Sequence, residues 1–310
     1  MLGNPVGRAS ALVGDSSTQL ILREAFHGVR RFSDWWTNLK LPRTVLAARL
    51  QHLTAAGLLR QASTGGRRLE YRLTDMGLDL YGTSLMQGQW ERLHAPSPLQ
   101  ERYALSFYDK TSGRQVRPAL LSRPFGFPVD PRRVAYVPGP GLIPQPPPPY
   151  RRRRAGPGVA SRPMIERSVE IVGDYWSWAV LSAAFFRVRR FDDFVEATGM
   201  ATNVLADRLS RLVEAGVLIR TPYKDVQARL EYRLSPAGLD LYPMVLALFG
   251  WSERWLCDPE NPPLKLFDRL NGERITPIVC DLETGRPIEA RQTRWAVEAA
   301  PPAPRAAKRS

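Results

Sequence analysis

The chain is poor in residues that staple or ligate. Its 310 residues hold two cysteines and three histidines. Two cysteines cannot make a disulfide framework, and a structural zinc normally takes four ligands. Long apolar runs are also missing. Largely apolar stretches, such as that near Ala179 to Phe186, fall far short of the ~20 residues needed to cross a bilayer. The N-terminus lacks the basic, apolar and small-residue order of a signal peptide. Acids are scarce, 30 against 44 Lys and Arg, for a net charge of +14. Hydrophobic residues make up 44%, enough for packed cores. The expectation is a cytoplasmic chain of about two ordinary domains, without membrane span, metal or cofactor, facing a polyanionic partner.

The charge is unevenly spread. Residues 1–94 carry +5, 95–130 carry +2, and 131–162 carry +7 from seven arginines without an acid. Residues 163–257 carry −1, 258–298 carry −2, and 299–310 carry +3. The 131–162 segment has nine prolines, including Pro146 to Pro149, and then Arg151 to Arg154. Proline fixes φ and removes a donor, so this stretch is expected to be a disordered Pro/Arg linker, and 299–310 a disordered tail. Either is a solvated connection or a flexible basic arm that adds nonspecific phosphate contacts.

The two sides of this linker repeat each other. Val13-Gly14-Asp15 recurs as Val172-Gly173-Asp174, and Val29-Arg30-Arg31-Phe32 as Val188-Arg189-Arg190-Phe191, both offset by 159. LEYRL at 69–73 and GLDLY at 77–81 recur 161 residues later. Over 13–61 against 172–220, 20 of 49 positions are identical. The chain is a tandem duplication.

Within copy one, the spacing predicts a helix over Leu12–Ala25, with Leu20, Ile21, Leu22 and Ala25 near one stripe. A short helix with Trp35, Trp36 and Leu39 follows, capped by Ser33 or Asp34. A third helix begins near Arg43, with Val45, Leu46, Leu50 and Leu53 on its apolar face, and stops at Gly57. Two short helices joined by a tight turn describe a helix-turn-helix. Strands at Leu58–Ala62 and Leu69–Leu73 flank a glycine-bearing loop with Arg67 and Arg68 at its tip. Thr74 or Asp75 then caps a long helix through Trp90. Copy two matches it: helices near 165–186, 191–198 and 202–215, strands near 217–222 and 229–234, and a last helix near 236–256.

A helix-turn-helix followed by a basic hairpin is a winged helix. The runs RRFDDF, ATNVLADRLSRLVEAGVL, RTPY and LEYRLSPAGLDLYP in copy two, and RRFSDW, VLAARLQHL, AAGLL and LEYRLTDMGLDLY in copy one, resemble HxlR-type winged-helix regulators. The resemblance covers 80 to 90 residues of each half. It implies a bacterial transcription regulator whose usual single domains dimerise through their first and last helices. The expected fold is mainly α with small β. The winged-helix copies are 1–94 and 163–257, each followed by a small β-rich lobe, at 95–130 and 258–298.

In such a motif the second helix lies in the major groove. The candidate double-stranded DNA contacts are Arg43, Thr44 and Arg49 in copy one, and Thr202, Asn203, Arg208 and Arg211 in copy two. Arginine bonds guanine bidentately and asparagine does the same with adenine, so unlike residues predict unlike half-sites. Arg49 and Arg208 hold one repeat position and could equally be structural partners of a nearby acid. Arg67, Arg68, Lys224 and Arg229 belong to the wings. Arg30, Arg31, Arg189 and Arg190 precede the first helix of each motif, where they meet phosphate or solvent. The two copies could form the family's dimer within one chain, at high effective concentration, or the chain could form a homodimer.

The lobes resemble remnants of a zinc ribbon found in extended relatives. Ser112, Ser122, Phe125, Asn271 and Thr284 stand at its ligand positions and only Cys280 remains, so no metal is expected. The sensing cysteine that some family members carry before the first helix is absent here. An aromatic set including Trp176, Trp178, Trp251 and Trp255 is either core or a small-molecule effector pocket. Catalysis has little support: His27, His52 and His94 all lie in copy one, and there is no phosphate loop or nucleophile elbow. The leading reading is a sequence-specific transcriptional repressor. The alternative is an interaction scaffold in which a copy, copy two above all, has stopped binding DNA; RNA binding through the linker is a third.

Overall fold

A computed structural model describes residues 3–63, 69–94, 103–123, 126–143, 165–223 and 226–299. Copy one contains α1 (Pro5–Val13), α2 (Ser16–Phe26), α3 (Phe32–Leu39), α4 (Arg43–Ala55), the hairpin β1 (Leu59–Ser63) and β2 (Leu69–Leu73), a short α5 (Asp75–Leu78) and α6 (Tyr81–His94). Strands β3 (Tyr103–Asp109), β4 (Gln115–Val116), β5 (Pro118–Arg123), β6 (Phe127–Pro128) and β7 (Val134–Pro138) follow. Copy two repeats the order: α7 (Glu166–Val172), α8 (Tyr175–Phe185), α9 (Phe191–Thr198), α10 (Thr202–Glu214), β8 (Leu218–Tyr223), β9 (Val226–Leu234), α11 (Pro236–Leu239) and α12 (Tyr242–Leu256). Strands β10 (Leu264–Asp268), β11 (Arg274–Asp281) and β12 (Thr293–Ala299) complete it.

The helices expected over Leu12–Ala25 and 165–186 are each broken in two, at Gly14 and Gly173. Asp15 and Asp174 adopt extended backbone and cap the second piece: Asp15 accepts from Thr18 N at 3.1 Å, and Asp174 from Trp176 N at 3.0 Å. A capping carboxylate satisfies donors that the first turn leaves open. The last helix of each copy is likewise interrupted. Thr74 and Ser235 cap the short α5 and α11, and α6 and α12 start afresh. The glycine of the GLDLY motif is required there. A Cβ on Gly77 would sit 2.2 Å from the Leu58 carbonyl oxygen, and one on Gly238 2.1 Å from that of Val217.

The copies pack against each other: α1 on α8 and α12, α6 on α7 and α12, α2 on α7. Their contacts are reciprocal. Trp90 Nε1 donates to the Ala237 carbonyl at 2.8 Å, and Trp251 Nε1 to that of Met76 at 2.9 Å. His94 Nε2 lies 2.8 Å from Asp240, while Trp255 Nε1 donates to Asp79 at 2.7 Å. Positions 90 and 251 are repeat equivalents, as are 76 and 237, 94 and 255, 79 and 240. Position i on one side meeting j on the other, and j meeting i, is the signature of a two-fold interface. The seam also has polar ties without counterparts. Glu91 accepts from Arg167 N and from Ser168 N and Oγ, at 3.1, 2.9 and 2.8 Å, capping α7 from the other copy. Burial pushes its carboxyl up although these bonds favour the charge.

The two lobes are not separate, as expected, but interleaved. The last strand of each pairs with the first strand of the other. In β7·β10, Pro138 is opposite Leu264 and Val134 opposite Asp268; in β12·β3, Val297 is opposite Leu105 and Thr293 opposite Asp109. Every one of these positions maps onto its counterpart at offset 159. Equivalent strands β5 and β11 pair antiparallel in the middle of a five-stranded sheet ordered β6-β5-β11-β10-β7. Part of the expected disordered linker is therefore ordered. Val134–Pro138 is a strand because β10 supplies its ladder partners; residues 144–162 lie outside the described residues, as does the tail from residue 300. The zinc-knuckle positions now close turns by hydrogen bonds. Ser112 N and Oγ donate to Asp109, and Thr284 Oγ1 to Asp281 at 2.7 Å. The Ser112 and Thr111 donors hold the Asp109 carboxyl below its ordinary range.

Candidate nucleic-acid interface

The second helix of each motif is anchored by one face and open on the other. In α4, Leu46, Leu50 and Leu53 are buried, which leaves Arg43, Thr44, Ala47, Ala48 and Gln51 exposed. In α10, Leu205, Arg208, Leu209 and Leu212 are buried, which leaves Thr202, Asn203, Ala206, Asp207 and Arg211 exposed. Burial at positions three and four apart produces this stripe. The turn before each helix passes through left-handed backbone, at Lys40 (φ 51°) in copy one and at Gly199 (φ 62°) in copy two.

The exposed faces differ in charge. The Arg43 guanidinium lies over the Trp36 ring, 4.2 Å from its centroid, so the half-exposed indole on α3 holds the first side chain of α4. Copy two has Val195 and Thr202 at those positions. There Arg211 Nε sits 3.0 Å from Asp207, one turn away, and the acid offsets the base.

Arg208 does not reach this face. Its side chain is 2% exposed, its Nε donates to Asp174 at 3.0 Å, and it also pairs with Asp207. Arg208 has the arrangement that the structural alternative describes, its buried guanidinium spent on the half-buried carboxylate that caps α8. Arg49, its counterpart, is held by Asp15 at 3.1 Å but stays one-third exposed. The recurring VGD and the recurring arginine thus explain each other. One carboxylate caps α2 or α8 and ties down the helix behind it. That pairing was available from the sequence, since both partners recur at the same offset. The Trp36–Arg43 stack was not, because nothing in copy two echoes it.

The other candidates divide by position. Arg30, Arg31, Arg189 and Arg190 are exposed beside the wing strands. The Arg30 and Arg189 carbonyls accept from Tyr71 N and Tyr232 N, both at 2.8 Å, so each segment adds an edge to its hairpin. Buried Glu70 and Glu231 lie under these arginines. Glu70 is 3.1 Å from Arg72 and 3.8 Å from Arg31, Glu231 is 2.9 Å from Arg233, and Arg190 bridges Glu231 by backbone. Arg67, Arg68 and Lys224 lie outside the described residues, and Arg229 falls within β9. Of the aromatic set, Trp178 and Trp251 are core while Trp255 is 42% exposed. Burial pushes the thiols of Cys257 and Cys280 up, which disfavours the reactive thiolate. Among the described residues no helix is long and apolar enough to cross a membrane.

Several known proteins are similar in sequence to parts of this chain. An HTH-type transcriptional regulator of Mycobacterium bovis is 39% identical over 127 residues, 41% of this chain and 80% of its own length; one from Mycobacterium tuberculosis matches equally. An HTH-type regulator of Synechocystis is 30% identical over 93 residues, 30% of this chain and 69% of its own. The solved structure of PA1607, described as a candidate transcription factor, shares 34% identity over 44% of this chain and 94% of its own; its TM-score of 0.40 adds nothing to the fold derived above. The HxlR-like helix-turn-helix model matches twice, at residues 12–97 and 171–260. With more than half its length matched by that model, the chain belongs to the HxlR-like helix-turn-helix family, as two of its domains in tandem, and is a transcriptional regulator rather than an enzyme.

Proposed function

We propose that this chain is a sequence-specific, double-stranded DNA-binding repressor of the cytoplasm in which both recognition helices act from one polypeptide. The observation that supports this reading is the reciprocal seam between the copies, which joins the elements bearing the exposed faces of α4 and α10 within one chain. In this reading α4 and α10 enter successive major grooves, and the β1–β2 and β8–β9 wings flank them. Arg43 and Thr44 read one half-site; Thr202 and Asn203 read the other, with Arg211 in reserve behind Asp207. Arg49 contributes at the margin. Arg30, Arg31, Arg189 and Arg190 meet phosphates, as do the wing residues Arg67, Arg68, Lys224 and Arg229.

Duplexes selected from a random pool by the full chain test this. Arg43→Ala is expected to cost about 1–3 kcal/mol of binding and to relax specificity in one half-site only, with Asn203→Ala doing so in the other. Absence of any sequence preference in the selected pool would favour the scaffold reading instead. The acid on the copy-two face is the observation on that side. Such a face gains little from phosphate attraction.

A further inference from the structure

We infer that the seam between the copies holds a binding site for a planar organic cation. A cavity of about 410 Å³ opens where α5 and the start of α6 face α12 and the copy-two lobe. That volume lies in the range of small-molecule sites. Its floor is apolar, with Leu78, Ile278, Val279 and Ile288. Thr83 also lines it.

The rim decides the charge. Asp79 is neutralised by Arg254 at 2.8 Å and also accepts from the Trp255 indole. Asp75 is tied to Arg291 at 2.7 Å, but both side chains are about 70% exposed, and such a pair opens at little cost. Glu289 is a third acid against two arginines, so the lining carries one surplus negative charge. The half-exposed Trp255 ring, its N–H bound to a carboxylate, offers a face to a cation.

The site is one-sided. The repeat equivalents of Gly82 and Thr83 are Pro243 and Met244, those of Asp75 and Arg254 are Pro236 and Leu93, and that of Trp255 is His94. Met244 is 1% exposed. At Asp75, Gly82, Thr83 and Arg254, small or polar residues stand where bulkier or apolar ones stand on the other side, while Trp255 puts an indole where the other side has an imidazole. The two-fold seam alone does not require that difference, and an occupant on one side would account for it. Because α5 directly follows wing strand β2, an occupant would bear on the copy-one wing; that effector role rests on the DNA-binding reading, while the site itself does not.

Rhodamine 6G, a planar cation, and fluorescein, an anion of similar size, are titrated into the full chain by fluorescence anisotropy. Rhodamine 6G is expected to bind one per chain, with fluorescein at least about tenfold weaker. Thr83→Met, which imports the residue of the other side, is expected to weaken rhodamine 6G by about tenfold, and the double variant Asp75→Asn, Glu289→Gln by a similar factor with an unchanged melting temperature. Equal binding of both dyes, no binding at about millimolar dye, or undiminished affinity in the rim double variant would each overturn the site. Rhodamine 6G is also expected to shift affinity for a selected duplex in the parent but not in the rim double variant. An unshifted affinity would overturn the effector role, whereas a chain that binds dye but no duplex would overturn the DNA-binding reading and leave the site standing.

Discussion

Two arginines on equivalent helices have opposite fates. Arg43 is exposed and stacked on Trp36; Arg208 is buried and spent on Asp174. Truncation removes a buried guanidinium and its charge-assisted bond to Asp174, so Arg208→Ala is expected to lower stability by about 1.5–3 kcal/mol in chemical denaturation. Arg43→Ala should leave the denaturation midpoint where it is, since surface changes of this kind cost little. A midpoint unchanged by Arg208→Ala would return that residue to the list of DNA contacts. Glu253 supplies a pH test. Burial, opposed by Arg274 and Arg254, raises its carboxyl from an ordinary 4.5 to about 7. The folded chain therefore holds a proton that the unfolded chain has lost. The resulting stabilisation is complete below pH 4.5 and disappears as pH rises through about 7. Thermal melts of Glu253→Gln against the parent should diverge across that window, with the variant gaining relative stability on the alkaline side.

At the scale of elements, most helices and both hairpins follow from apolar spacing and turn residues, and the structure differs where polar capping intervenes. The break at Gly173 lies in a run whose apolar spacing continues from Val172 to Tyr175 and Trp176, whereas in copy one Gly14 to Gln19 hold no apolar side chain; in both, the capping Asp15 or Asp174 starts the second piece. The turn inside each motif carries a similar lesson. Gly199 adopts left-handed backbone freely, while Lys40 does so with a Cβ in the way. Lys40→Gly is expected to stabilise the chain by up to about 1 kcal/mol, the left-handed cost less the entropy of glycine, and calorimetry would read it. The interleaving of β7 with β10 and β12 with β3 could not be read from the sequence, because a strand's pattern specifies which face is buried and not which neighbour it joins.

The whole molecule is a duplication folded back on itself. Within the helical seam, Trp90 and Trp251 exchange hydrogen bonds with the opposite copy; within the lobes, each copy completes the other's sheet. The duplicated motifs made the tandem architecture legible, and the charge count located the basic excess in copy one and the linker. The asymmetry that matters for recognition lies finer than net charge. Arg43 is presented on an indole, whereas Arg211 is paired with Asp207. The central claim is that one chain carries both halves of the reader. The mass of the complex between the full chain and its selected duplex, measured by sedimentation equilibrium, tests that most directly. The account predicts one chain per duplex, on a site with two unlike half-sites. Two chains on a perfect palindrome would contradict it.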